Sequence, residues 1–221
     1  MNNIIVNENI KDITLIFSHG LGDNSSSWLF FANELKKHIN NIKIILADSP
    51  IDTVCVNNNS KMKSWFNIIN LPISKNSNEN YDNIDKSVKI IHDIVENEIN
   101  NGQDPKKIFI GGFSQGASLS LISGLSYYNQ ELGGIIMFSG WILKKPFSRI
   151  KNINKNTPIF IGHGTKDNTV LYENAISTDD FLKSNKIFNV KFNTYENMGH
   201  NTSTNEVYDI IDWIKYLTKK I

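Results

Sequence analysis

Lys106-Lys-Ile-Phe-Ile-Gly-Gly-Phe-Ser-Gln-Gly-Ala-Ser-Leu-Ser-Leu121 is the stretch on which the reading of the whole chain turns. Ile108-Phe-Ile110 is an apolar run of strand length, and Ala117 to Leu121 suits a helix. Between them lies Gly112-Phe-Ser-Gln-Gly116, the one G-x-S-x-G of the sequence. In a nucleophile elbow the serine sits on a strained strand-to-helix turn that lifts its hydroxyl clear of the backbone. Glycines two residues to either side let strand and helix approach without a Cβ clash. The N–H of the next residue then points at a developing oxyanion. The pattern predicts Ser114 as nucleophile and the Gln115 N–H as one oxyanion donor.

On either side of the elbow, apolar runs of strand length alternate with helical spacing. Strands are expected at Ile13–Phe17, Ile42–Leu46, Gly133–Phe138, Ile159–Ile161 and Val190–Tyr195, with a short edge strand within residues 3–7. Trp28, Phe31, Leu35 and Ile39 recur at helical spacing, as do Ile84, Val88, Ile91, Val95 and Ile99. Residues 172–186 suit a third helix, and Ser203 with Glu206 reads as a capping box opening the last one. Such alternation predicts an α/β fold with a mostly parallel sheet and helices on both faces. Residues 47–60 read as irregular. Residues 61–80 match neither period and predict a lid or substrate loop in a single domain spanning 1–221.

The 221 residues carry a net charge of +1, with acids and bases interspersed. Electrostatics therefore favours neither nucleic acid nor an anionic membrane. Cys55 is the single cysteine, so an internal disulfide is excluded and a reducing, cytoplasmic setting is expected. Met1–Ile10 lacks the pattern of a signal peptide, and no apolar run reaches transmembrane length. The asparagine clusters read as surface drift. Neither H-E-x-x-H nor paired Cys/His spacing occurs, so no metal and no cofactor is expected.

A serine hydroxyl needs a base, and the base needs an orienting group. In the order Ser…Asp/Glu…His the histidine comes last. His200 follows the last strand and is the expected base. Asp167, at a strand's C-terminal end, is the expected acid, because Glu173, Asp179 and Asp180 fall in a helical stretch. His19 and His163 read as hydrogen-bonders that fix loops, and His38 and His92 as surface groups. The loop after the first central strand supplies the second oxyanion donor, here the Leu21 N–H.

Five motifs now stand in one order: His19-Gly-Leu-Gly-Asp23, Ser64-Trp-Phe66, Gly111-Gly-Phe-Ser-Gln-Gly116, His163-Gly-Thr-Lys-Asp167 with Val170, and Tyr195-Glu-Asn-Met-Gly-His200. Together they resemble the acyl-protein thioesterase/lysophospholipase family of small serine hydrolases. The resemblance implies an α/β-hydrolase fold and a Ser114–Asp167–His200 triad. It also implies cleavage of long-chain acyl thioesters from S-acylated protein cysteines, or of lysophospholipids and simple esters. The chain departs from the family at Asn168, where a proline is usual, and Asn2-Asn3 offers no N-terminal cysteine for palmitoylation.

A long acyl chain needs an apolar trough, since each buried CH₂ contributes about 0.8 kcal/mol. Trp28, Leu29, Met62, Trp65, Phe66, Ile68, Leu71, Trp141 and Val170 are the candidates. Partners are then S-acylated proteins or lysophospholipids as substrates. Contact with a membrane surface is at most transient, and a weak homodimer through exposed aromatic loops is left open. The readings weighed against a thioesterase are a lysophospholipase or general carboxylesterase with the same triad, and an inactive acyl-chain binder.

Overall fold

The apolar runs become strands because they are apolar on both faces. In a computed structural model of the chain, residues 2–10, 12–77, 81, 83–127 and 130–219 are described. Strand β2 (Ile13–Ser18) sends Leu15 and Phe17 to one face and Ile16 to the other. In β3 (Ile42–Ala47), Ile42, Ile44 and Leu46 share the first face, and Ile45 and Ala47 the second. Strands buried on both faces read as continuous apolar runs, as parallel central strands do.

The sheet has seven strands in the order β1-β3-β2-β6-β7-β8-β9. The outer members are β1 (Ile4–Val6), antiparallel to β3, and β9 (Val190–Tyr195). The others, β6 (Ile108–Phe113), β7 (Gly134–Phe138) and β8 (Ile159–Gly164), run parallel to β2, β3 and β9. Helices α1 (Leu29–His38) and α6 (Thr204–Thr218) cover one face. Helices α2 (Ile84–Asn100), α3 (Gln115–Ser126) and α5 (Glu173–Ser184) cover the other, with the short α4 (Lys144–Ser148) beside them. Phe17 centres the first face, with ring centroids 4.6 Å from Trp28, 4.7 Å from Phe31 and 6.0 Å from Phe138. Truncating such a residue to alanine costs about 3–5 kcal/mol.

Two expectations need correction. Residues 47–60 are not irregular throughout: Ile51–Val54 (β4) pairs antiparallel with Ser60–Lys63 (β5) as a hairpin. Its strands, Ile51-Asp-Thr-Val54 and Ser60-Lys-Met-Lys63, are short, lie outside the main sheet and carry no sustained apolar alternation. Asn58 and Asn59 at its tip have φ of 53° and 56°. Asparagine tolerates that left-handed region better than most residues. Among the described residues, five of the eight non-glycine residues with positive φ are asparagines, so part of the asparagine excess serves turns rather than drift. The exposed Cys55 lies beside this tip.

The second correction concerns the capping box. Ser203 Oγ accepts the Glu206 N–H at 3.2 Å, but the Glu206 carboxyl turns inward and is fully buried. Neither of its oxygens completes a hydrogen bond among the described residues. Gly162 makes the room: a Cβ there would lie 2.4 Å from Glu206 Oε1. Residues 78–80 of the expected 61–80 loop lie outside the described residues.

Candidate active site

Ser114 joins β6 to α3 with φ 55° and ψ −117°, a conformation that costs about 1–3 kcal/mol for a residue with a Cβ. The turn closes because its flanking glycines have no side chain. A Cβ on Gly112 would come 2.4 Å from the Gly116 carbonyl carbon, and one on Gly116 would come 2.1 Å from Ser18 O. Those clashes are with backbone and cannot be relieved by a rotamer change. The Ser114 N–H donates to Phe138 O at 2.8 Å, which ties the turn to β7.

Asp167 and His200 meet because adjacent parallel strands carry them. The β8–β9 ladder runs to Gly164 opposite Tyr195. It is extended by Thr165 N–H to Tyr195 O and Lys166 N–H to Met198 O, both 3.0 Å. The Asp167 turn is closed by its own side chain, whose Oδ1 accepts the N–H groups of Thr169 and Val170 at 2.9 Å each. This closure restrains a loop whose next residue, Asn168, has no ring constraint of its own.

The structure brings Ser114, His200 and Asp167 together. His200 Nδ1 lies 2.7 Å from Asp167 Oδ2, and His200 Nε2 lies 3.0 Å from Ser114 Oγ. With Nδ1–H donating to the carboxylate, Nε2 is left to accept the serine proton. Ser114 and Asp167 are buried, while the His200 side chain is 19% exposed. Burial alone pushes the Asp167 carboxyl up. Hydrogen bonds from His163 and His200, the His200 charge and the Val170 N–H outweigh it and hold the group well below the usual carboxylate range. The Phe113 ring sits 4.7 Å from the His200 ring and backs it.

The loop after β2 lies directly beside Ser114, since a Cβ on Gly20 would be 3.5 Å from Ser114 Cβ. His19 fixes it: Nδ1–H donates to Gly20 O at 2.7 Å, and Nε2 accepts the Ser49 N–H at 3.1 Å. Burial lowers the His19 pKa, in keeping with that single-proton pattern. The peptide so held carries the Leu21 N–H. Gln115 opens α3, where an N–H has no partner within the helix. Its side chain does separate work, bonding Trp65 N–H, Ser64 Oγ and Phe66 O at 3.0, 3.0 and 2.6 Å. His38 is exposed as expected. His92 is instead half-buried, with Nε2 2.8 Å from Ser123 O, because it faces α3.

A cavity of about 320 Å³ opens beside Ser114 and His200. Leu21, Ile68, Leu71, Trp141 and Val170 line it, along with Ile73, Phe113 and Thr169. Five acyl-trough candidates are placed elsewhere. Trp28 is buried among Phe17, Phe31 and Phe113, with its indole N–H on Asp23 at 3.0 Å. Leu29 packs against that same face of the core. Met62, on the hairpin, abuts Gly22. Trp65 and Phe66 are buried, the former donating to His19 O at 2.9 Å. All five are large apolar residues near the loops of the site, and composition cannot separate packing from lining. Ile73 escaped the sequence reading because it lines the cavity through a bridge to Val170, some hundred positions along the chain. Phe113 carried a signal in its place within the elbow. Among the described residues no group of three or more His, Cys, Asp or Glu could hold a metal ion.

Comparison with known proteins gives the family of the chain. Acyl-protein thioesterase 1 of Yarrowia lipolytica is 33% identical over 207 residues, covering 91% of this chain and 90% of that protein. Acyl-protein thioesterase 1 homolog 1 of Dictyostelium discoideum is 36% identical over 196 residues, covering 88% and 85%. Carboxylesterase SOBER1 of Arabidopsis thaliana is 34% identical over 207 residues, covering 91% and 89%. Its crystal structure superposes with a TM-score of 0.86 over 93% of this chain and 99% of that one, at 32% identity. The profile of the phospholipase/carboxylesterase family matches residues 1–218, and the chain belongs to that family of α/β-hydrolases acting on esters.

Proposed function

We propose that the protein is a serine thioesterase that removes long acyl chains from S-acylated cysteines of proteins, with Ser114 as nucleophile. The observation that carries this reading is the hydrogen-bonded line from Asp167 through His200 to Ser114, ending beside an apolar cavity. Relatives named acyl-protein thioesterase support the choice of leaving group.

Ser114 Oγ attacks the thioester carbonyl carbon as His200 Nε2 takes its proton. The carbonyl π pair moves onto oxygen, where the Leu21 and Gln115 N–H groups receive it. Losing one such donor typically costs about 3 kcal/mol. The tetrahedral intermediate collapses and the C–S bond breaks. The thiolate, of pKa about 8.5, needs little help in leaving and collects the His200 proton. Water then attacks the acyl-enzyme, with His200 again as base, and releases the fatty acid and free Ser114. Asp167 holds the imidazole in the working tautomer throughout.

The cavity residues Leu21, Ile68, Leu71, Trp141 and Val170 hold the acyl chain, and residues 64–77 act as its lid. The protein works in the cytoplasm, and among the described residues no helix is long and apolar enough to cross a membrane. A carboxylesterase of broader taste is the second reading, favoured by the SOBER1 likeness. Two measurements test the proposal. A fluorophosphonate should label wild type at Ser114 and leave Ser114→Ala unlabelled. The kcat/KM for a palmitoyl-cysteine peptide should exceed those for a lysophospholipid and a simple ester; the reverse order would leave the hydrolase and remove the thioesterase.

A further inference from the structure

His163 is fully buried at the end of β8, and the reaction as written does not use it. Its Nε2 lies 2.8 Å from Val170 O and 3.3 Å from Asp167 Oδ2. A carbonyl oxygen only accepts, so Nε2 carries a proton and shares it between the two oxygens. Oδ2 is the same oxygen that receives His200 Nδ1–H at 2.7 Å. The Asp167 carboxylate therefore rests between two imidazoles, while its other oxygen is held by the N–H groups of Thr169 and Val170. His163 Nδ1 has no hydrogen-bond partner among the described residues, an unusual state for a buried nitrogen. The ring is thus placed for what Nε2 does. The titratable groups facing it are Asp167, His200 beyond that carboxylate, and Tyr172, whose ring centroid is 6.1 Å away.

We infer that His163 is a positioning residue for the hydrolysis, which fixes the rotamer of Asp167 and draws part of its negative charge away from His200. This rests on the Ser114–His200–Asp167 reading above. A second donor on Oδ2 competes with the His200 bond, so the imidazolium is stabilised less than a lone carboxylate would allow. The same bond holds the 167–170 turn where Asn168 provides no ring constraint.

The test is the pH profile of kcat/KM for a palmitoyl thioester with wild type, H163L and H163Q. H163L removes the donor and should lower kcat at least about tenfold with little change in KM. Its acid limb should move upward by about half a pH unit, because the full carboxylate charge then faces His200. H163Q restores an N–H near the position of Nε2 and should recover most of the rate and the wild-type limb. If H163L does not fold, as judged by circular dichroism, H163N with its shorter amide takes its place in the comparison. Limbs that coincide in all variants, or a glutamine variant no better than leucine, would overturn the inference and leave His163 a packing residue. Wild-type hydrolysis that persists in Ser114→Ala would overturn the triad reading itself, and this inference with it.

Discussion

The side-chain carbonyl of Gln115 accepts the backbone N–H of Trp65 at 3.0 Å, fifty positions away in the chain. The residue after Ser114 thus pins, through its side chain, the segment that leads to the cavity wall. Its amide nitrogen completes the clamp on Ser64 Oγ and Phe66 O. Gln115→Leu leaves the buried Trp65 N–H without its partner, at a cost of about 1–3 kcal/mol, and leaves Ser64 Oγ and Phe66 O only the 2.8 Å bond they make to each other. The variant should melt well below wild type and lose kcat/KM more for C16 than for C2 esters. Thermal denaturation and an ester series measure both effects, and equal losses across the series would separate the clamp from the cavity.

Ser114 is strained, with φ 55°. Ser114→Gly removes the hydroxyl and the Cβ that makes this conformation unfavourable. Relief of about 1 kcal/mol is expected, which for a chain of this size corresponds to about 2–4 °C. The inactive glycine variant should therefore melt above wild type, and Ser114→Ala should not. Calorimetry of the three proteins decides it.

Leu71 is 46% exposed and lines the rim of the cavity. Leu71→Asn should leave the melting temperature nearly unchanged, because little buried surface is lost on folding. Contact with several methylenes is lost on binding, worth about 1 kcal/mol. KM for a C16 substrate should rise severalfold while that for a C2 ester stays put. Parallel Michaelis curves provide the check.

Glu206 gives the fold a pH dependence of its own. Burial pushes its carboxyl up from 4.5 to about 8, the charge of Asp209 adding to the effect. Between these values the folded chain keeps a proton that the unfolded chain has released. Its contribution therefore makes stability fall as pH rises, by at most about 1.4 kcal/mol per pH unit. Glu206→Gln cannot ionise, so its melting temperature should drop less than that of wild type between about pH 5 and about pH 8. Equal slopes for the two proteins would show that this carboxyl does not titrate in that window.

The central strands were legible because each is apolar on both faces. The order of Ser114, Asp167 and His200 was legible because the loops carrying them follow strands that any parallel sheet aligns at one end. The hairpin Ile51–Lys63 was not legible, since Ser60, Lys61 and Lys63 make no apolar face. The cavity was legible only in part. Ile68, Leu71, Trp141 and Val170 could be proposed from their neighbourhood, but Trp65 and Phe66 look identical in sequence and are held in the core by Gln115 and by Tyr81 and Trp141. Which aromatic lines a trough and which plugs the core beneath it depends on contacts between residues distant in the chain, such as Gln115 with Trp65 and Trp141 with Phe66.

β9 is the outermost strand on its side of the sheet, and none of its residues is fully buried. The imidazole of His200 hangs from that strand, whereas Ser114 hangs from the centre. On warming, the margin of the sheet is expected to peel before its middle, carrying His200 off while Ser114 stays seated. Heat should therefore silence this enzyme reversibly, some degrees below the temperature at which the tryptophans of the interior meet water.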